Sequence, residues 1–305
     1  MELPLFTFGD WVKAAFDLGS GGGIDHPAAA GGMSGRASVD PGTGSLIEAL
    51  GVTPHGQRDY LLFIPARPAP RPMVILMLHG CGQSAADFMA ASRMNDLAAA
   101  HGAHVIWPQQ DRRDNGMRCW NWHDPQHQGS DGGEPALLVE LLDQVLQDHG
   151  LADADVYAAG LSAGGSMAAV LAGAFPSRFR AIGVHSGLPP GAAASLSEAM
   201  RAMRDGAAPG ADSGVPMILF HGDLDDVVSP VNGDALAHHI DGSPESGAHE
   251  GRHEWTRRQG QGGEYWLIHG LGHAWSGGAA GLDHSDPAGP DASSEMMRFF
   301  LQHRS

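Results

Sequence analysis

From about residue 55 onward, short apolar runs alternate with stretches of helical period. "DYLLFIP" (59–65) and "MVILMLHG" (73–80) read as strands, the second buried on both faces. A helix is expected over "SAADFMAASRMNDLAAAHG", with Ser84 as its N-cap and Gly102 as its stop. "HVIWP" (104–108) is the next strand, and "EPALLVELLDQVLQDHG" (134–150) a helix ending at Gly150. "DVYAAG" (155–160) predicts a strand, and Ser162 to Phe175 a helix with Pro176 just beyond it. "AIGVHSG" (181–187), "MILFHG" (217–222) and "EYWLIHG" (264–270) predict three more strands, and "DASSEMMRFFLQH" (291–303) a closing helix. Strands alternating with helices imply an α/β fold: a mostly parallel central sheet with helices on both faces.

Four stretches fall outside this alternation. Residues 18–44 are dominated by Gly, Ala, Ser and Pro without an apolar period, and read as a linker or loose tail. Before them, "FGDWVKAAFDL" has the pattern of a short amphipathic helix. The organisation expected is therefore an N-terminal tail over 1–50 and one α/β domain over 51–305. Residues 187–214 leave a strand end, where they would border an active-site mouth. Residues 241–263, rich in Gly, Pro and charge, read as a solvated loop.

Composition narrows the function classes. The 305-residue chain is 42% apolar and carries a net charge of −17. That charge disfavours nucleic acid and anionic membranes as partners, and its simplest role is solubility. No window approaches the roughly 18 apolar residues of a membrane span. Glu2 stands where a basic leader region would be, and Asp10, Lys13 and Asp17 interrupt the apolar residues after it, so no clear secretion signal is read. The only two cysteines, Cys81 and Cys119, permit one bridge but no framework. The His-rich spots "HDPQHQ", "HH" (238–239) and "RHE" lack a repeated ligand spacing with matching acids. No metal or cofactor is expected.

Gly160-Leu161-Ser162-Ala163-Gly164 lies between a predicted strand and a predicted helix. A serine hydroxyl is a weak nucleophile that needs a histidine base, itself oriented by a carboxylate. Glycines on both sides keep Cβ atoms out of a sharp turn, which makes Ser162 the candidate nucleophile. Acid and base should follow in that order on loops after later strands. "HGDLDDVV" offers Asp225, with Asp223 and Asp226 as fallbacks. "HGLGHAW" offers His273 beyond the strand, whereas His269 is still on it and reads as structural. An oxyanion needs two preorganised N–H donors. Ala163, which follows the nucleophile, and Cys81, in the H-G-x-G loop His79–Gly82, are the candidates. Ser166 reads as a helix-packing residue.

The segments "LHGCGQSAADF", "CWNWHDP", "GLSAGGSMAAVLA", "GVHSGLPPGAA", "HGDLDDVVSPVNGD", "GHAWSGG" and "SDPAGPDASSEMMRFF" together resemble the poly(3-hydroxybutyrate) depolymerase family of esterases, within the α/β-hydrolases. With "LLFIP" before them, they extend from about Leu61 to Phe300. The resemblance implies an α/β-hydrolase fold and cofactor-free hydrolysis of 3-hydroxyalkanoate polyesters, their oligomers or short-chain esters through an acyl-enzyme. It also implies a secreted relative, hence an extracellular or periplasmic setting, with the cytoplasm as the alternative. In a secreted relative, a Cys81–Cys119 bridge would pin the oxyanion loop; two free thiols are the other reading. No separate polymer-binding module is read after the catalytic domain. Nearby families include feruloyl and acetylxylan esterases, and a catalytically dead binding protein is the alternative of another class. Trp120, Trp122 and Trp275 are candidates for an apolar substrate subsite, with core packing the competing role.

Overall fold

The computed structural model describes residues 42–248 and 253–305. The helix and most of the linker read in the N-terminal 41 residues lie outside them.

Among the described residues, the apolar runs become ten strands of one sheet. They are β1 (Gly44–Thr53), β2 (Gly56–Pro65), β3 (Met73–Leu78), β4 (His104–Pro108), β5 (Asp155–Leu161), β6 (Ala181–His185), β7 (Met217–Gly222), β8 (Pro244–Gly247), β9 (Trp255–Gly260) and β10 (Gly263–Ile268). Their spatial order is β1-β2-β4-β3-β5-β6-β7-β10-β9-β8. The central run from β4 to β10 is parallel. Antiparallel strands flank it on both sides. Every residue of β3, β4, β5, β6 and β7 is buried, which requires cover on both faces. The helices supplying it are α1 (Ala85–Ser92), α2 (Met94–His101), α3 (Gly133–Asp148), α4 (Ala163–Ala174), α5 (Leu196–Asp205), α6 (Val231–Leu236) and α7 (Ala292–Gln302). Helix α3 packs on α4, and α2 on α7. Beyond β10, β11 (Trp275–Ser276) and β12 (Ser285–Asp286) pair as a short parallel ribbon.

The core elements stand where the apolar pattern puts them, and four features differ. Strand β1 starts at Gly44, within the stretch read as tail. Its sequence "GSLIEALGVT" has no clean alternation because it is an edge strand whose Ile47, Leu50 and Val52 face solvent. The single helix expected from Ser84 to Gly102 is two helices. Ser84 caps the first in a capping box with Asp87, and Gly102 closes the second. Between them Arg93 takes a left-handed conformation, φ 54°, and its guanidinium donates to Gly277 O and Asp291 Oδ2, both at 2.9 Å. Residues 187–214 contain the amphipathic helix α5, capped by Ser195. Residues 241–263, expected as a solvated loop, instead supply β8 and β9, which extend the sheet. Their side chains are polar because an edge hairpin has few neighbours to bury against.

Candidate active site

In a parallel sheet all strands point their C-terminal ends to one edge, and a ligand site gathers in the loops there. Strands β3, β5, β7 and β10 bring to that edge His79–Gly82, Ser162, Asp223–Asp226 and His269–His273, respectively.

Ser162 forms the turn between β5 and α4, with φ 57° and ψ −121°. Such backbone conformations cost a non-glycine residue about 1–3 kcal/mol and persist where surrounding structure enforces them. Here the Ser162 N–H donates to His185 O at 2.8 Å. A Cβ on Gly160 would stand 2.4 Å from the Gly164 carbonyl carbon, and one on Gly164 only 2.0 Å from Leu78 O. The two glycines let the turn close against the end of β3. Ser166 is a packing residue: its hydroxyl donates to Ser162 O and accepts the Leu188 N–H.

Of the three aspartates, Asp225 meets His273, with Oδ2 2.8 Å from Nδ1. Its other oxygen accepts the amides of Val227 (3.0 Å) and Val228 (2.8 Å). Asp223 pairs instead with His269 at 2.9 Å and accepts the Gly270 N–H at 2.7 Å. His269 also contacts Thr256 Oγ1, so it ties loops together, in keeping with a structural role. Burial alone would raise the Asp225 pKa. The interactions with His273, His221 and the Val228 amide outweigh it and hold the group well below the usual carboxylate range. For His273 burial pulls downward, but Asp225 prevails and the pKa is raised. With Nδ1–H given to Asp225, Nε2 is the free acceptor. Ser162 Oγ and His273 share no hydrogen bond among the described residues; in free enzymes such contacts are often long until substrate binds.

In the loop after β3, the Gly80 N–H donates to Gln83 Oε1 (2.9 Å) and the Gly82 N–H to Met117 O (2.8 Å). The Cys81 N–H between them has no acceptor among the described residues. Ala163 opens α4, where first-turn amides lack intrahelical acceptors. The loop is anchored by the His79 ring, whose Nδ1–H donates to Gly80 O while Nε2 accepts the Gln110 N–H. Burial lowers the His79 pKa to about 4, which keeps it neutral. A Cys81–Cys119 disulfide pins the loop to the "CWNW" segment.

The tryptophans correct an expectation. Trp120 and Trp275 are fully buried, and their ring N–H groups are satisfied by His79 O and Ser293 Oγ. Trp275 packs between Phe88 and His185. Both are core residues, because a bulky indole with a satisfied N–H is as useful inside as at a subsite. Trp122 keeps 6% exposure.

Sequence reasoning missed His185. Its carbonyl holds Ser162, and its Nε2 accepts the Ser276 N–H at 3.1 Å, so it joins the Ser162 turn to the chain just after His273. Burial lowers its pKa to about 3. The available signal was a polar residue closing an otherwise apolar strand, "AIGVH". Among the described residues, no three His, Cys, Asp or Glu side chains converge as metal ligands, and no helix is long and apolar enough to cross a membrane.

A family model described as "Esterase PHB depolymerase" matches residues 58–242. Poly(3-hydroxyalkanoate) depolymerase C of Paucimonas lemoignei is 33% identical over 180 residues, covering 54% of this chain and 43% of that protein. Feruloyl esterase B of Thermothelomyces thermophilus is 32% identical over 139 residues, covering 45% and 47%, respectively. The chain thus spans less than half the length of either relative. Among solved structures, an acetyl xylan esterase from Aspergillus awamori superposes with a TM-score of 0.67 at 19% identity, over 85% of this chain and 99% of that one. That likeness establishes the α/β-hydrolase fold.

Proposed function

The chain belongs to the esterase PHB depolymerase family, and from that premise we propose that it is a serine carboxylic ester hydrolase. The observation that carries this reading is the buried Asp225–His273 hydrogen bond, set on the same sheet edge as the constrained Ser162 turn. Asp225 fixes the Nδ1–H tautomer of His273, whose Nε2 takes the Ser162 proton as Oγ attacks the ester carbonyl. The Cys81 and Ala163 amides receive the oxyanion. His273 returns the proton to the departing alkoxide, leaving an acyl-enzyme. Water, deprotonated by His273, then releases the acid and restores Ser162.

The substrates proposed are 3-hydroxybutyrate-type polyesters, their oligomers and short-chain esters, in line with the 33% identical depolymerase. Feruloyl and acetylxylan esters form the second reading, supported by the feruloyl esterase match. Trp122 is proposed to edge the substrate site. The catalytic domain proposed comprises residues 51–305 together with the part of β1 that precedes them. An extracellular or periplasmic location belongs to the same reading, supported by the Cys81–Cys119 bridge.

A fluorophosphonate probe tests the chemistry. Labelling of Ser162, abolished in Ser162→Ala together with hydrolysis of p-nitrophenyl butyrate, is the expected result. An unlabelled Ser162 would leave a binding module. Release of 3-hydroxybutyrate, ferulate or acetate from matched substrates then separates the ester classes.

A further inference from the structure

Arg58 and Glu134 are each 3% exposed, and acyl transfer as proposed above uses neither. Taking such charges out of water costs several kcal/mol per ion unless partners compensate. The partners are specific. Arg58, on β2, donates to Gln110 Oε1 at 2.5 Å, pairs with Asp114 at 2.9 Å and lies 5.7 Å over the Trp120 ring. Gln110 Nε2 donates to Cys119 O at 2.9 Å and to Glu134. Glu134, in the first turn of α3, also accepts the Asn121 N–H at 2.6 Å and the Asn121 Nδ2–H at 2.7 Å. Every contact on the carboxylate comes from an N–H donor.

What this network grips is the 117–121 segment, and that segment grips the oxyanion loop in three ways. Cys119 is bonded to Cys81, Trp120 donates to His79 O, and Met117 O accepts the Gly82 N–H. We propose that Glu134 is a positioning residue: acting through Asn121 and Gln110, it fixes the 117–121 segment and so the direction of the Cys81 N–H. This inference rests on the serine-esterase reading. A neutral side chain at 134 would present an amide N–H to donors and release the segment. Neither Glu134, Gln110 nor Asn121 is proposed to touch substrate, so the loss falls on the transition state.

The test compares wild type, Glu134→Gln, Asn121→Ala, Cys119→Ser and the Glu134→Gln/Cys119→Ser double variant on p-nitrophenyl butyrate, with Ser162 labelling in parallel. Glu134→Gln is expected to lower kcat about 10- to 100-fold, the scale of a small misplacement of a catalytic group, with KM changed less than about twofold. Asn121→Ala moves kcat in the same direction. The double variant should lose less than the product of the single losses, because a severed bridge already removes one of the three grips through which Glu134 acts. A Glu134→Gln enzyme with wild-type kcat, or a double variant whose losses multiply, would overturn the inference. If Glu134→Gln does not fold, Asn121→Ala decides, and wild-type kcat there overturns it. A wild type that is neither labelled nor active removes the esterase reading and this inference with it. An active wild type with unaffected variants removes only the positioning role.

Discussion

Asp225 Oδ2 lies 2.8 Å from His273 Nδ1, and its side chain is shut off from water. Asp223, two residues earlier, pairs with His269 at the half-exposed rim. The same short loop thus offers one carboxylate that can hold an imidazolium in a dry site and one that braces a loop. Asp225→Asn would present the wrong partner to Nδ1–H and is expected to lower kcat on p-nitrophenyl butyrate about 10⁴-fold. Asp223→Asn breaks an exposed pair and should cost roughly fivefold at most. Steady-state kinetics of the two variants checks this; equal losses would mean that the acid is misassigned.

The candidate nucleophile, base and oxyanion loop stand out in the sequence because each is a local signal. A glycine-flanked serine, a histidine past a strand and an H-G-x-G loop all follow buried apolar runs that can only be central strands. The choice among Asp223, Asp225 and Asp226 rested on a motif, since three acids in four residues are equivalent until the loop folds. Strands β1, β8 and β9 were hidden because strands at the margins of the sheet bury little and so need no apolar alternation. Trp120 and Trp275 were ambiguous because the same side chain suits a subsite or a core. Arg58, Gln110 and Glu134 were invisible because charged and amide side chains read as solvated unless distant partners converge on them.

Acid should switch the enzyme off through His273. Nε2 accepts the serine proton only while the ring is neutral. Asp225 raises the His273 pKa above its ordinary 6.5. The acid limb of kcat/KM is therefore expected to have its midpoint above 6.5, with activity falling as pH drops through it. A pH–rate profile from about pH 5 to 9 measures this. In Asp225→Asn the residual activity should show that midpoint shifted downward; an unchanged midpoint would assign the limb to another group.

Stability should also fall in acid, by a separate route. His79 and His185 are buried and neutral, with pKa values lowered by burial from 6.5 to about 4 and about 3. His221 is lowered by burial too. Below pH 6.5 the unfolded chain binds protons that these folded rings refuse, so unfolding becomes easier as pH falls. Between pH 6.5 and 5 the loss is on the order of 1 to 2 kcal/mol for each of His79 and His185. The raised His273 contributes stability that is fully present below pH 6.5 and lost only as pH rises through its folded pKa, so it does not mask the trend. Urea melts at pH 6.5 and 5 read the difference directly, and coincident midpoints would contradict it.

The Cys81–Cys119 bridge closes a loop across 38 positions. In the chain-entropy account such a cross-link is worth about 4 kcal/mol. Cys119→Ser is expected to lower the denaturation midpoint accordingly, and to lower kcat while the protein is still folded, because the free Cys81 N–H loses a constraint on its direction. Melts in urea paired with kinetics below the transition separate the two effects. A variant that loses stability but keeps wild-type kcat would make the bridge a fold staple without a catalytic share.

Two glycines of one helix should respond oppositely to alanine. A Cβ on Gly164 would meet Leu78 O at 2.0 Å and His79 O at 2.6 Å. Both are backbone atoms, at the end of β3 and the start of the oxyanion loop, and they cannot retreat without opening the Ser162 turn. Gly164→Ala is expected to cost about 3 kcal/mol or more and to abolish labelling of Ser162. A Cβ on Gly173, near the C-terminal end of α4, meets nothing within 4 Å. Removing its backbone freedom from the unfolded chain should raise stability by about 0.5–1 kcal/mol and leave kcat unchanged. Thermal melts of the two variants provide the comparison. A Gly164→Ala protein that melts with wild type would show that β3 and α4 are not packed as closely as their backbones lie here.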